Sequence, residues 1–122
     1  MLYRPAVPHQ QWGREAEDLA ASYLQKQGFE IMVRNYRYQK AEIDIIAQRA
    51  HCLAFVEVKA RTSSEYGYPE TFVSPAKQAL IRAAAENYII EQDWTQATQF
   101  DIIAVLQHSG SVQIVHFEDA FY

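Results

Sequence analysis

Cysteine is nearly absent from this chain: its 122 residues include one, Cys52, together with only four glycines, four prolines and four histidines. A single thiol cannot build an internal disulfide framework, and with the histidines scattered no Cys/His zinc cluster can be assembled. Cys52 therefore reads as a small strand hydrophobe. Long apolar runs are missing as well. No stretch approaches the roughly 18 residues of a membrane-spanning helix, and the opening MLYRPAVPHQ lacks the apolar stretch of a secretory signal. A cytoplasmic protein without a membrane partner is expected. Positive charge is also short. With 11 Lys and Arg against 15 Asp and Glu, the formal charge is −4, which does not suit a broad basic surface gripping nucleic acid. Any such binding is expected to be weak and salt-sensitive.

What is present suffices for a core. Hydrophobic residues make up 49% of the chain and aromatics 13%, and the length fits one domain. We expect residues 1–10, with Pro5 and Pro8, to form a flexible lead-in, and residues 11–122 to form the domain. No internal repeat, linker or low-complexity segment interrupts it. Across residues 11–27, Trp12, Ala16, Leu19, Ala20, Tyr23 and Leu24 recur at helical spacing and Gly28 signals a stop. Phe29, Ile31 and Val33 alternate as a first strand running toward Tyr36 and Tyr38. Residues 42–48 and 51–59 read as two more strands, joined by a short turn without glycine, so the three form a meander. Residues 61–74 read as a loop. Ser74 as N-cap and Pro75 at the first helical position then start a second helix reaching about residue 92, which should bury Leu80, Ile81, Ala84 and Tyr88. Residues 100–106 and 112–117 form a final hairpin, the first strand being apolar enough to be covered on both faces. This order predicts an α/β fold with helices covering a mixed sheet.

The chemistry concentrates in Phe55-Val56-Glu57-Val58-Lys59. Alternation sends Val56 and Val58 to one face and Glu57 and Lys59 to the other, placing a carboxylate and an ammonium together on an otherwise buried strand. The preceding strand repeats the arrangement, with Glu42 and Asp44 on one face and Ile43 and Ile45 opposite. If the strands pair, Asp44, Glu57 and Lys59 converge. Two carboxylates and a lysine at one point of a sheet suit divalent-metal-assisted phosphodiester hydrolysis. The plain alternative is a solvated sheet face, with Lys59 merely pairing with Glu57. Lys77 shares a stripe with Leu80, Ile81 and Ala84 and so points inward at a helix N-terminus. A cation there calls for an anion, and a nucleic-acid phosphate, joined by Gln78, is the expected one. Snorkelling along the surface is the alternative. Asp101 is a candidate partner for a basic residue. Tyr36, Tyr38, Tyr66 and Tyr68 are candidates for stacking on unpaired bases, with rim packing as the alternative.

Glu17, Asp44 and Glu57-x-Lys59 together resemble the motif of the PD-(D/E)xK nuclease superfamily. More closely, GREAEDLAASYL, AEIDIIA, FVEVKAR, YGYPETFVSPAKQ and FDIIAV, in this order, resemble the YraN-like family, itself similar to archaeal Holliday junction resolvases. The resemblance covers most of residues 13–105. It implies a restriction-endonuclease-like fold, a central mixed sheet flanked by helices. It also implies a site where Asp44 and Glu57 bind magnesium or manganese, Lys59 orients or deprotonates the attacking water, and Glu17 completes the acidic cluster. Ala16 and Ala41 depart from it, standing where glycines are expected. On the helical wheel Glu17 and Glu15 flank the apolar face on opposite sides, and Glu17 has the small or apolar neighbours Gly13, Ala20, Ala21 and Leu24 that permit close approach to a sheet. The expectation is a metal-dependent endonuclease acting on structured or single-stranded nucleic acid, with DNA the expected polymer. Arg61 and the loop after it, with Lys77 and Gln78, would shape the substrate channel, and the resemblance makes a homodimer plausible. Two rival expectations are a nucleic-acid-binding module with an inefficient site and a metal-free protein-interaction adaptor.

Overall fold

A computed structural model describes residues 9–62 and 73–122. The elements are α1 (His9–Lys26), β1 (Glu30–Tyr38), β2 (Ala41–Arg49), β3 (Cys52–Thr62), α2 (Pro75–Glu91), β4 (Ala97–His108) and β5 (Ser111–Phe121). The five strands form one mixed sheet in the order β1-β2-β3-β4-β5. The first three make the expected antiparallel meander. Helix α2 carries the chain back so that β4 runs parallel to β3, and β5 returns antiparallel beside β4. A mixed sheet with a helix on each face is consistent with a restriction-endonuclease-like architecture.

Helix α1 begins at His9, two positions before the expected start. It ends where Gly28 takes a positive φ of 92°. There the Gly28 N–H donates to Gln25 O at 3.1 Å and the Phe29 N–H to Leu24 O at 3.0 Å, a closure that satisfies carbonyls the helix would otherwise leave open. One face of α1, through Trp12, Ala16, Ala20 and Leu24, packs on Ile45, Ala54, Val56, Ile103 and Val105. Ala16 is fully buried, so a methyl is accommodated there. Ala41, the other position where glycine was expected, is buried as well.

Helix α2 starts as its sequence predicts. The Ser74 hydroxyl accepts from the Lys77 N–H at 3.1 Å, and Pro75 occupies the first turn. It covers the opposite face through Ile81, Ala84, Ala85 and Tyr88, against Ile43, Ile46, Leu53, Phe55 and Ile102. Leu80 differs from expectation: it is 44% exposed, because it borders a cleft instead of packing on the sheet. Residues 101–105 of β4 are all buried, with Ile102 in one core and Ile103 and Val105 in the other. Coverage on both sides is thus borne out. The β4–β5 hairpin turns at Ser109 and Gly110, whose φ values of 48° and 80° match the twist of the flanking strands.

One strand runs on into the expected loop. Strand β3 continues through Arg61 and Thr62, which had been assigned to a loop, because β4 pairs with it along that whole length. The remaining loop positions, 63–72, including Tyr66 and Tyr68, lie outside the described residues, as does the lead-in at 1–8. No helix among the described residues is long and apolar enough to cross a membrane.

Candidate metal-binding and catalytic site

Strands β2 and β3 are paired from Arg49↔Cys52 to Ile45↔Val56 and no further. Beyond that point they separate, and the backbone of β3 loses its partner on that side. The Asp44 carboxylate replaces it, accepting from the Val58 N–H at 2.7 Å. The separation follows from a local break in alternation. Ile43 belongs to the core under α2 whereas Ile45 belongs to the core under α1, so the two do not share a face as the strand pattern predicted. Across the ladder, the register puts Asn35 opposite Asp44, and Asn35 has a left-handed φ of 57°. Neither strand keeps regular pleating at this level, which turns Asp44 toward β3.

The divergence opens a cleft of about 200 Å³ lined by Lys40, Glu42, Asp44, Glu57, Lys77 and Leu80 among others. Glu57 is 5% exposed. The Lys77 ammonium is ion-paired with Glu57 Oε2, and Lys59 Nζ lies 3.9 Å from the same oxygen. Sequence alternation thus placed Glu57 and Lys59 correctly, and Asp44, Glu57, Lys59 and Lys77 do converge.

The electrostatics are strained in an informative way. Burial, a hydrogen bond to Glu57 and the charge of Glu57 push the Asp44 carboxyl up to about 8, against the pull of the Val58 N–H, and Glu17 adds a weaker push upward. Near neutral pH the Asp44 carboxyl therefore keeps its proton while facing Glu57. Burial also lowers the Lys59 ammonium from its ordinary value, with Lys77 and Arg61 acting the same way and Glu57 opposing. For Lys77 burial acts downward too, but the hydrogen bond and charge of Glu57 outweigh it and the net shift is upward.

The other expected site residues are less central. Glu17 Oε1 accepts from Arg34 Nη2 at 3.1 Å and from Asn35 Nδ2 at 3.0 Å, and Glu17 does not line the cleft. Arg34 also pairs with Asp18 at 2.7 Å. Glu17 thus sits close enough for its charge to reach Asp44 but is held by two partners that the sequence reading missed. The signal for Asn35 was its ladder position opposite Asp44, visible only once the register is known. Gln78 donates to Val73 O at 3.0 Å, bracing the start of α2, and Arg61 donates to Ala60 O at 2.8 Å. Lys40 and Glu42 line the cleft although neither was singled out for a role. Tyr36 is engaged in packing: its ring meets Tyr88 edge-on at 5.3 Å, and its hydroxyl donates to Glu91 and accepts from Asn87, both at 2.7 Å.

A sequence profile described as "Uncharacterised protein family UPF0102" matches residues 16–105, a span that contains Glu17, Asp44, Glu57, Lys59 and Lys77. The chain belongs to the UPF0102 family. A UPF0102 protein of Flavobacterium psychrophilum is 47% identical over 114 residues, covering 93% of this chain and 96% of the relative. A UPF0102 protein of Chlorobium limicola is 44% identical over 117 residues, covering 90% and 91%. Similarity across nearly the full length of both chains means that the domain described here accounts for almost all of such UPF0102 relatives.

On the α1 face lies a second polar group. Asp101 is fully buried and accepts from Gln99 Nε2 at 3.0 Å and the Asp119 N–H at 2.9 Å. His116 Nε2 stands 2.8 Å from it, supplying the basic partner expected of Asp101. Asp119 has φ 54° and sits where β5 bulges between the pairs Phe100↔Phe121 and Ile102↔Phe117, so Asp101 secures that bulge. Glu118 completes a group of ligand-type atoms within 4.8 Å of one another, but it pairs with Arg49 at 3.2 Å. The partners of this group come from the chain itself.

Proposed function

We propose that this protein is a divalent-metal-dependent endonuclease of the PD-(D/E)xK superfamily, hydrolysing phosphodiester bonds in structured or single-stranded nucleic acid, with DNA the expected polymer. The observation that carries this reading is the convergence of Asp44, Glu57 and Lys59 at the point where β2 and β3 part. Hard carboxylate oxygens in a cleft of this size suit magnesium or manganese, which keep several waters. The raised Asp44 carboxyl also fits, since a divalent cation at this point would favour its charged form. Asp44 and Glu57 would hold the ion. Once bound, it supplies Lewis-acid polarisation of the phosphate and a water of lowered pKa.

The chain's own residues account for the rest. The Val58 N–H fixes the Asp44 carboxylate in place. Lys59, made easier to deprotonate by burial, takes a proton from the attacking water or donates to the phosphate as charge builds on it. Glu17, held by Arg34 and Asn35, lends negative charge near Asp44 and acts as a positioning group. A homodimer and a cytoplasmic location belong to the same reading.

The test is cleavage of supercoiled plasmid with magnesium or manganese, run beside Asp44→Ala and Lys59→Ala. Metal-dependent nicking by the wild type, lost in both variants, supports the assignment. Binding without nicking would favour a nucleic-acid-binding module, which the charge of −4 does not strengthen. Absence of metal binding would leave a protein-interaction adaptor.

A further inference from the structure

The cation that meets Glu57 in this structure is Lys77, and its placement is unusual for a lysine. It lies in the first turn of α2, three residues after the cap Ser74, where the positive end of the helix dipole disfavours a cation. Its ammonium nevertheless turns into the cleft and pairs with Glu57 Oε2. The anion it needs is thus supplied by the protein itself.

The two lysines at Glu57 differ in how freely they can leave. Lys59 follows Glu57 on the same strand and its side chain is 11% exposed, whereas the Lys77 side chain is 43% exposed. Lys59 is enclosed by its neighbours. Lys77 lines the cleft together with Lys40 and Leu80, and its more exposed stem leaves its side-chain bonds free to turn toward solvent. A divalent cation on Glu57 and an ammonium on the same carboxylate oxygen exclude each other, because like charges a few ångström apart repel strongly where water is scarce.

We propose, resting on the metal-dependent reading above, that Lys77 is a built-in competitor for the metal position: its ammonium occupies Glu57 in the resting protein and is handed to a substrate phosphate when metal and nucleic acid bind. Lys77 thereby couples the two ligands. A phosphate at the cleft mouth draws the ammonium off Glu57 and frees the carboxylate for the cation, and by thermodynamic reciprocity the cation frees Lys77 for the phosphate. The device disfavours metal loading in the absence of nucleic acid, which restrains hydrolysis of unintended phosphodiesters.

The experiment is a calorimetric manganese titration of the full chain, without nucleic acid, comparing wild type, Lys77→Met and Lys77→Arg, with Lys77→Gln as a second neutral replacement should the methionine variant fail to fold. The neutral variants should bind manganese about tenfold more tightly than wild type, and the arginine variant should stay close to wild type. A second arm uses Lys59→Met to silence turnover and adds a saturating single-stranded DNA oligonucleotide. DNA should tighten manganese binding severalfold in that background, and the effect should vanish when Lys77→Met is added. Equal or weaker manganese binding by the neutral variants overturns the competitor role while leaving the metal site intact. Absence of manganese binding in every form overturns both this proposal and the nuclease reading.

Discussion

Two carboxylates are buried on opposite faces of the same sheet, and their surroundings separate scaffold from chemistry. Asp101, under α1, receives Gln99, His116 and the Asp119 N–H, so its oxygens are occupied by donors from the chain. Glu57, on the α2 side, borders a cleft and meets a second carboxyl, Asp44, and two lysine ammoniums. Removing one partner of a buried, hydrogen-bonded charge destabilises a fold, whereas two acids side by side at a cavity raise the cost of charging both. The first arrangement is closed off from solvent and the second opens on a cleft.

The largest expected contrast is in activity. Lys59→Met should lower cleavage by about a thousandfold or more with manganese binding retained, read by plasmid nicking alongside calorimetry. His116→Ala, on the other face, should leave turnover per folded molecule close to wild type. If both variants lose activity alike, the division between the two regions fails.

Stability should divide them in the opposite sense. Asp101→Ala leaves the Asp119 N–H and Gln99 without their acceptor and should cost about 3 kcal/mol in urea unfolding. Asp44→Asn removes an ionisable group from an unfavourable place while keeping an oxygen for the Val58 N–H, and should stabilise the metal-free protein by on the order of 1 kcal/mol. Destabilisation by the asparagine variant would show that the acidic pair is structural after all.

The pH dependence sharpens the same comparison. The Asp44 carboxyl rises from an ordinary 3.8 to about 8 in the folded protein, so across that window the native state holds a proton that the unfolded state has lost. Metal-free stability should therefore decline as pH rises between these values and level off above them, and Asp44→Asn should flatten the decline. Manganese displaces that proton, so its affinity should climb over the same range. The smallest effect is expected at the surface pair Arg49–Glu118, half-exposed on both sides. Glu118→Ala should change stability by less than about 0.5 kcal/mol.

Much of this was legible in the sequence because it depends on local rules. The Ser74-Pro75 cap, the Gly28 stop and the two apolar helix faces follow from propensity and periodicity, and alternation along β3 put Glu57 beside Lys59. What the strand pattern misplaced was β2: it put Ile43 and Ile45 on one face, whereas the break at Asp44 sends them to different cores. That break depends on Asn35 across the ladder and on where β2 and β3 stop pairing, both of which are relations between strands and leave no mark on either alone. The same holds for Glu17. Its helix face was readable, but its capture by Arg34 and Asn35 required the placement of β1 against α1. Lys77 was read as pointing inward toward an anion, and Glu57 as that anion emerged only when α2 was set over the sheet.

The central claim is that Asp44 and Glu57 form one cation site. It is tested most directly by manganese titration of the wild type and of the doubly substituted Asp44→Ala/Glu57→Ala protein at pH 6 and pH 8. The account predicts binding by the wild type that strengthens at the higher pH with release of a proton, and none by the double variant. Wild-type protein that fails to bind manganese at either pH, or a double variant that binds it equally well, would contradict the account.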